Sequence, residues 1–187
     1  MKQAKLLALM ITLTILCGCS KSAKCGEQFS TWRQNCISTA NHEIKAEVSA
    51  SDKEKVCEYT LLYSSSLDGE TVKVLAPELI AQIGAEIKEG ETRLTYDGTV
   101  LDTGSALTGN LSPLMALPTF MSVIKDGHAE NSWNEENDGT KMLVTELEIP
   151  DGMIMTLWQN SSDFSPVYAE LRSNDSVEIK INITQFK

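Results

Sequence analysis

Four residues near the start of the chain, Leu16, Cys17, Gly18 and Cys19, close an apolar run with the spacing of a bacterial lipobox. The chemistry they suit is acylation: the Cys19 thiol takes a diacylglyceryl group, and small Gly18 lets a peptidase close on the backbone just before it. Cys17 is the poorer acceptor, because bulky Leu16 would fill the position before the cut. Upstream, Lys2 and Lys5 form a positive segment and residues 6–16 an apolar one, the layout of a secretory signal. A membrane span needs ~20 apolar residues, and Ser20, Lys21, Ser22 and Lys24 cut this run off earlier. Cleavage before Cys19 is therefore expected, removing residues 1–18 and leaving the chain on the extracytoplasmic face of the cell membrane. A diacylglyceryl group with an amide-linked chain anchors stably where one acyl chain does not, since each buried methylene adds only ~0.8 kcal/mol.

A second pattern resembles catalytic machinery. Val100, Leu101, Asp102, Thr103, Gly104 and Ser105 read apolar-apolar-Asp-Thr-Gly-Ser, as in aspartic proteases. That chemistry needs two carboxylates sharing a proton, because adjacent like charges push one pKa up and leave an acid beside a base. The motif occurs once, so a homodimer would be required, and no later apolar-apolar-Gly element supports the turn. A strand end in which Asp102 or Ser105 bonds backbone donors accounts for it better. His42 and His128, the only histidines, lie outside any His-Glu-x-x-His frame and are expected in loops or at strand edges. The acidic run Glu135, Glu136, Asn137, Asp138, Gly139 lacks the spaced oxygens of a calcium loop and reads as a hairpin tip. Cys25, Cys36 and Cys57 suit no metal spacing. Along a helix Cys25 and Cys36 would stand roughly 15 Å apart, leaving Cys36 with Cys57 as the one pairing to test. The thiols are expected to be free, with Cys57 packed as a small apolar residue. No enzyme, metal or cofactor is expected.

The 187 residues carry a formal charge of −10, which loss of Lys2 and Lys5 with the leader deepens. An acidic surface argues against nucleic acid and against lying flat on anionic lipid. After a lipidated tether at 19–26, the remainder, 27–187, suits one domain. Phe29, Trp32, Cys36 and Ala40 predict a helix over 27–41. From Glu43 the period becomes two, with Ile44, Ala46 and Val48 on one face of a strand. Further strands are expected at 56–63, 71–75, 85–88, 92–96 and 99–102, with a short helix from Pro77 to Ile83. Ser112 and Pro113 open a second helical region, in which Pro118 predicts a kink or break and Gly127 the end. Strands at 142–149, 153–158, 167–172 and 177–183 follow, the last with Val177, Ile179, Ile181 and Ile183 on one face.

Few helices serve many one-sided strands, so the expected fold class is α+β. The arrangement expected is a strongly curved antiparallel sheet, a half-barrel, with helices packed on its concave face. The run Thr92, Arg93, Leu94, Thr95, Tyr96, Asp97, Gly98, the strand with Leu157 and Trp158, and Ser165, Pro166, Val167 before the final paired strands resemble the LolA/LolB superfamily. That resemblance extends to the lipid-anchored Gram-positive relatives, including the clostridial germination lipoprotein group. It implies a half-barrel lidded by helices and either of two activities. LolA carriers hold acyl chains in the hollow, whereas the germination lipoproteins act by binding a cell-wall amidase.

Two functions are therefore expected. In one, the protein is a non-catalytic docking protein for an envelope partner such as a cell-wall enzyme. In the other, it is a carrier or acceptor of a lipid ligand, an acyl chain or similar apolar molecule. The candidate lining of the hollow in that case is Leu114, Leu117, Phe120, Met121, Ile124, Met153, Met155 and Trp158, since methionine and aromatic side chains adapt to a flexible guest. Permanent anchoring at Cys19 suits docking better than ferrying.

Overall fold

The computed structural model describes residues 20–52, 55–101, 112–149, 152–173 and 176–187. Cys19 and the leader, residues 102–105 of the Asp-Thr-Gly-Ser pattern, and the turn residues Pro150, Asp151, Asn174 and Asp175 lie outside the described residues.

Helix α1 spans Ser20–Ser38, so the segment expected as a tether is helical from Ser20, and the helix stops short of Ala40. Cys25, Phe29, Trp32 and Cys36 recur at four, three and four residues and turn one face to the core. Ala40, expected in that stripe, is exposed beyond the helix end. The last carbonyls are satisfied locally: the Thr39 N–H donates to Cys36 O, and the Ser38 and Thr39 hydroxyls donate to Asn35 O.

Eleven strands follow the chain: β1 (His42–Asp52), β2 (Lys55–Ser66), β3 (Gly69–Ala76), β4 (Ile83–Lys88), β5 (Glu91–Tyr96), β6 (Thr99–Leu101), β7 (His128–Asn137), β8 (Thr140–Glu148), β9 (Ile154–Asn160), β10 (Pro166–Ser173) and β11 (Ser176–Phe186). They form one antiparallel sheet in the order β6-β5-β4-β3-β2-β1-β11-β10-β9-β8-β7. Two meanders thus run outward from a central seam where β1 pairs with β11, bringing Val48 opposite Ile181. Between β6 and β7 lies helix α2 (Ala116–Asp126), entered through a 3-10 turn at Pro113–Met115. The short helix expected from Pro77 is a single 3-10 turn, Glu78–Ile80, and Ile83 already begins β4.

Helix α2 touches β2 and β3 on one wing and β8 on the other. In a flat sheet β3 and β8 would stand roughly 29 Å apart, at about 4.8 Å per strand, while a helix is only about 10 Å across. The sheet must wrap around α2, and register shifts in β1, β2, β7 and β10 supply local bends. The result is the curved α+β half-barrel expected.

Pro118 neither kinks nor breaks α2. It is the third residue of the helix, inside the first turn, where backbone N–H groups have no intrahelical partner to lose. Gly127 does end the helix, but with φ −65° and ψ 145° rather than a left-handed cap. A Cβ there would lie 2.6 Å from Val123 O and 3.3 Å from the Leu147 Cβ, so close approach is what requires glycine. The Arg33 guanidinium then donates to Gly127 O at 2.9 Å and to Lys125 O at 2.6 Å, tying α1 to the end of α2.

Strand β7 was not foreseen. Its sequence, HAENSWNEEN, shows little apolar alternation because it is a sheet edge with most positions exposed. The acidic run is its end, turning through Asp138 (φ 48°) and Gly139 (φ 77°) in a two-residue hairpin.

Candidate functional site

The two faces of the sheet follow from register. On the helix side, one row runs Val48, Ile181, Ala169, Leu157, Thr145, Ser132 from β1 to β7, and the next includes Ile179, Leu171, Met155 and Leu147. Helix α2 supplies Leu117, Phe120, Met121 and Ile124, all fully buried, to the core over these rows, and helix α1 lies along their β7 end. Met155 is equally buried, Met153 nearly so, and Leu114 is half-buried against the same cluster. The structure thus brings together every candidate lining residue but one, and packs them against each other. A groove of about 460 Å³ runs outside this core beside α2, with Met115, Pro118, Ile149 and Met153 on its walls and Glu70 and Lys125 at its rim.

The exception is Trp158. It stands opposite Val144 and Tyr168 on the face away from the helices, because successive strand side chains alternate and Met155 and Trp158 are three apart. Its row reads Trp133, Val144, Trp158, Tyr168, Asn182, Glu47 from β7 to β1. Val144 is fully buried although no described helix lies on this face, and the indoles of Trp133 and Trp158 flank it in register. Trp133 remains 36% exposed, and Trp158 and Tyr168 are half-buried. The Trp158 and Tyr168 rings lie 5.2 Å apart at 52°, a tilted packing contact.

Carboxylates fix both rings. The Trp158 indole N–H donates to Glu135 Oε2 at 3.3 Å, and the Tyr168 hydroxyl donates to Glu170 Oε1 at 2.8 Å. Burial, followed by that bond to Glu170, pushes the Tyr168 pKa well up, so the hydroxyl stays protonated and donating. Arg172 crosses the same face, donating to Thr156 Oγ1 at 2.6 Å with its Nε 3.8 Å from Glu170. Beyond Tyr168 the row continues into a groove of about 520 Å³ lined by Glu47, Glu58, Thr60, Lys180 and Asn182.

The remaining candidates serve structure. Cys25 and Cys36 are buried and free, Cys25 Sγ accepting from Asn134 Nδ2 at 3.2 Å. Burial, partly offset by Lys125, raises the Cys36 thiol to about 11, which makes it unreactive. Cys57 is free but exposed rather than packed, since it points off β2 near its open end. His42 is not peripheral: it opens an interior strand, is buried, and sets Nε2 3.0 Å from Cys36 O at the end of α1. His128 is exposed at the start of the edge strand, as its placement at a strand edge required. Among the described residues no three His, Cys, Asp or Glu side chains gather as metal ligands, and no helix is long and apolar enough to cross a membrane.

Sequence reasoning missed the outer row, although a signal was present. Trp133 sits between polar Ser132 and Asn134, and an odd separation of Trp158 from Met155 puts those two on opposite faces.

No protein-family model and no curated protein matches the chain. Solved structures do. A DUF1329 family protein from Desulfovibrio piger superposes with a TM-score of 0.52 at 10% identity, over 90% of this chain and 93% of that one. An uncharacterized conserved protein from Thermus thermophilus gives 0.50 at 12%, over 87% and 86%. A weaker likeness, 0.45 at 16% over 87% and 94%, is to a chain of the complex between the CwlD amidase and the GerS lipoprotein from Clostridioides difficile. At these identities the likeness is one of fold alone.

Proposed function

We propose that the protein is a non-catalytic docking protein, lipid-anchored at Cys19 on the extracytoplasmic face of the membrane, that binds an envelope protein through the face of β7–β10 away from the helices. The class of partner we favour is a cell-wall enzyme. The observation that carries this reading is the contrast between a hollow filled by fully buried side chains and an opposite face with a half-exposed Trp133, Trp158 and Tyr168 row. Tryptophan and tyrosine dominate binding energy at protein interfaces because they remove much apolar area from water at small entropic cost. Helix α1 begins one residue after Cys19, so a chain acylated there would be held close to the bilayer, which suits docking better than transport.

The test is photo-cross-linking in living cells, with benzoylphenylalanine placed at Trp133 or, as a control, at exposed Leu79. A discrete protein adduct specific to position 133 is expected, together with release of a Cys19→Ala variant from washed membranes. Lipid co-purifying with the protein in native mass spectrometry, with no adduct at position 133, would favour the carrier reading instead. The groove beside α2 would then be the way into the hollow.

A further inference from the structure

The outer row has a chemical character more specific than apolarity. The donors of Trp158 and Tyr168 are already bonded to Glu135 and Glu170, so an incoming group meets the exposed parts of the rings, the second oxygen of Glu135, and a Glu170 whose other oxygen faces Arg172 Nε at 3.8 Å. Register places Glu47, Glu135, Glu146, Glu148 and Glu170 on this face of β1 and β7–β11, against Lys45, Arg172 and Lys180. The excess is acidic, in a chain whose formal charge is −10. A group that gains from an aromatic face and from a carboxylate together is a guanidinium or ammonium. The two rings pack on each other at 52°, so together they offer no flat platform for a sugar ring.

We infer that the partner docks here through an extended segment bearing arginine or lysine, with one cation lying over the exposed part of the packed Trp158 and Tyr168 rings, near Glu135 and Glu170. This rests on the docking reading above and names the chemistry of the partner. The segment lies across the strands, its neighbouring residues over Val144 and Trp133 on one side and toward the groove at Glu47 and Glu58 on the other. Carboxylates along that path select against acidic partners by repulsion and steer basic ones.

The chain's three tryptophans allow a direct test, because Trp32 lies on the helix side and serves as an internal reference. The full-length lipoprotein in detergent, with 5-fluorotryptophan at all three positions, is titrated with an acetylated Arg-Val-Arg-Val-Arg-Val amide and followed by fluorine NMR. The Trp133 and Trp158 signals are expected to move while Trp32 stays. Glu135→Gln with Glu170→Gln keeps a hydrogen-bond acceptor but removes charge, and is expected to weaken binding about tenfold, as is about 0.5 M salt. No shift with the basic peptide overturns the inference, as does equal binding of the same peptide with Glu for Arg, or binding of an N-acetylglucosamine hexamer instead. If the position 133 adduct persists in the doubly neutralised protein, docking stands and the basic segment falls. If no adduct forms in either, docking itself fails.

Discussion

On the helix side of the sheet, Leu117, Phe120 and Ile124 from α2 share one core with Leu157, Leu171 and Ile181, all with no exposed surface. On the other side, Trp133 and Trp158 flank Val144, and they and Tyr168 keep part of their rings in water, Trp158 and Tyr168 each held by a glutamate. Both sides are apolar in part, and they differ in what finishes the burial. The first is completed within the chain, so its residues contribute stability. The second is left incomplete, and its aromatic area remains for an association to bury.

The contrast can be broken first at Phe120. Phe120→Ala should cost about 3–5 kcal/mol, read as a lower urea midpoint, because α2 cannot collapse into the space a phenyl leaves. A loss below about 1 kcal/mol would mean that the hollow tolerates vacancy and would return it to contention as a ligand site. Gly127→Ala comes next, at about 1–3 kcal/mol, since the added methyl meets Val123 O, a backbone atom that cannot move aside without disturbing α2. Trp158→Ala should cost only about 1 kcal/mol of stability, being half-buried, while abolishing the adduct from position 133. The smallest effect concerns Cys36. Its thiol ionises near 9.0 in the unfolded chain and near 11 when folded, so rising pH through that window favours the unfolded state, which has released its proton. Stability should therefore fall between those pH values, and Cys36→Ser should flatten that decline. In native protein below the window, iodoacetamide should label Cys57 and spare Cys25 and Cys36.

Much of the fold was legible because the physical signals were local. Alternation in Ile44, Ala46, Val48 and in Ile179, Ile181, Ile183 marked the two strands of the central seam, and Asp-Gly pairs marked the hairpins. What failed to read was what depends on neighbours. Strand β7 carries few buried side chains because it is an edge, so its sequence resembles a loop. Pro118 looked like a breaker until its position in the first turn was known. Trp158 was grouped with Met153 and Met155 by composition, although the pleat sends it to the opposite face.

The sequence by itself offered a lipobox-like pattern at Cys19 as an expectation, and it determined many one-sided strands with too few helices to cover a flat sheet, which together require curvature. Only the tertiary structure decided which face is sealed and which remains available. Local periodicity says that a side chain is apolar and which way it alternates. Whether another element arrives to cover it depends on how far the sheet wraps around α2, and that is set by contacts between residues remote in the chain.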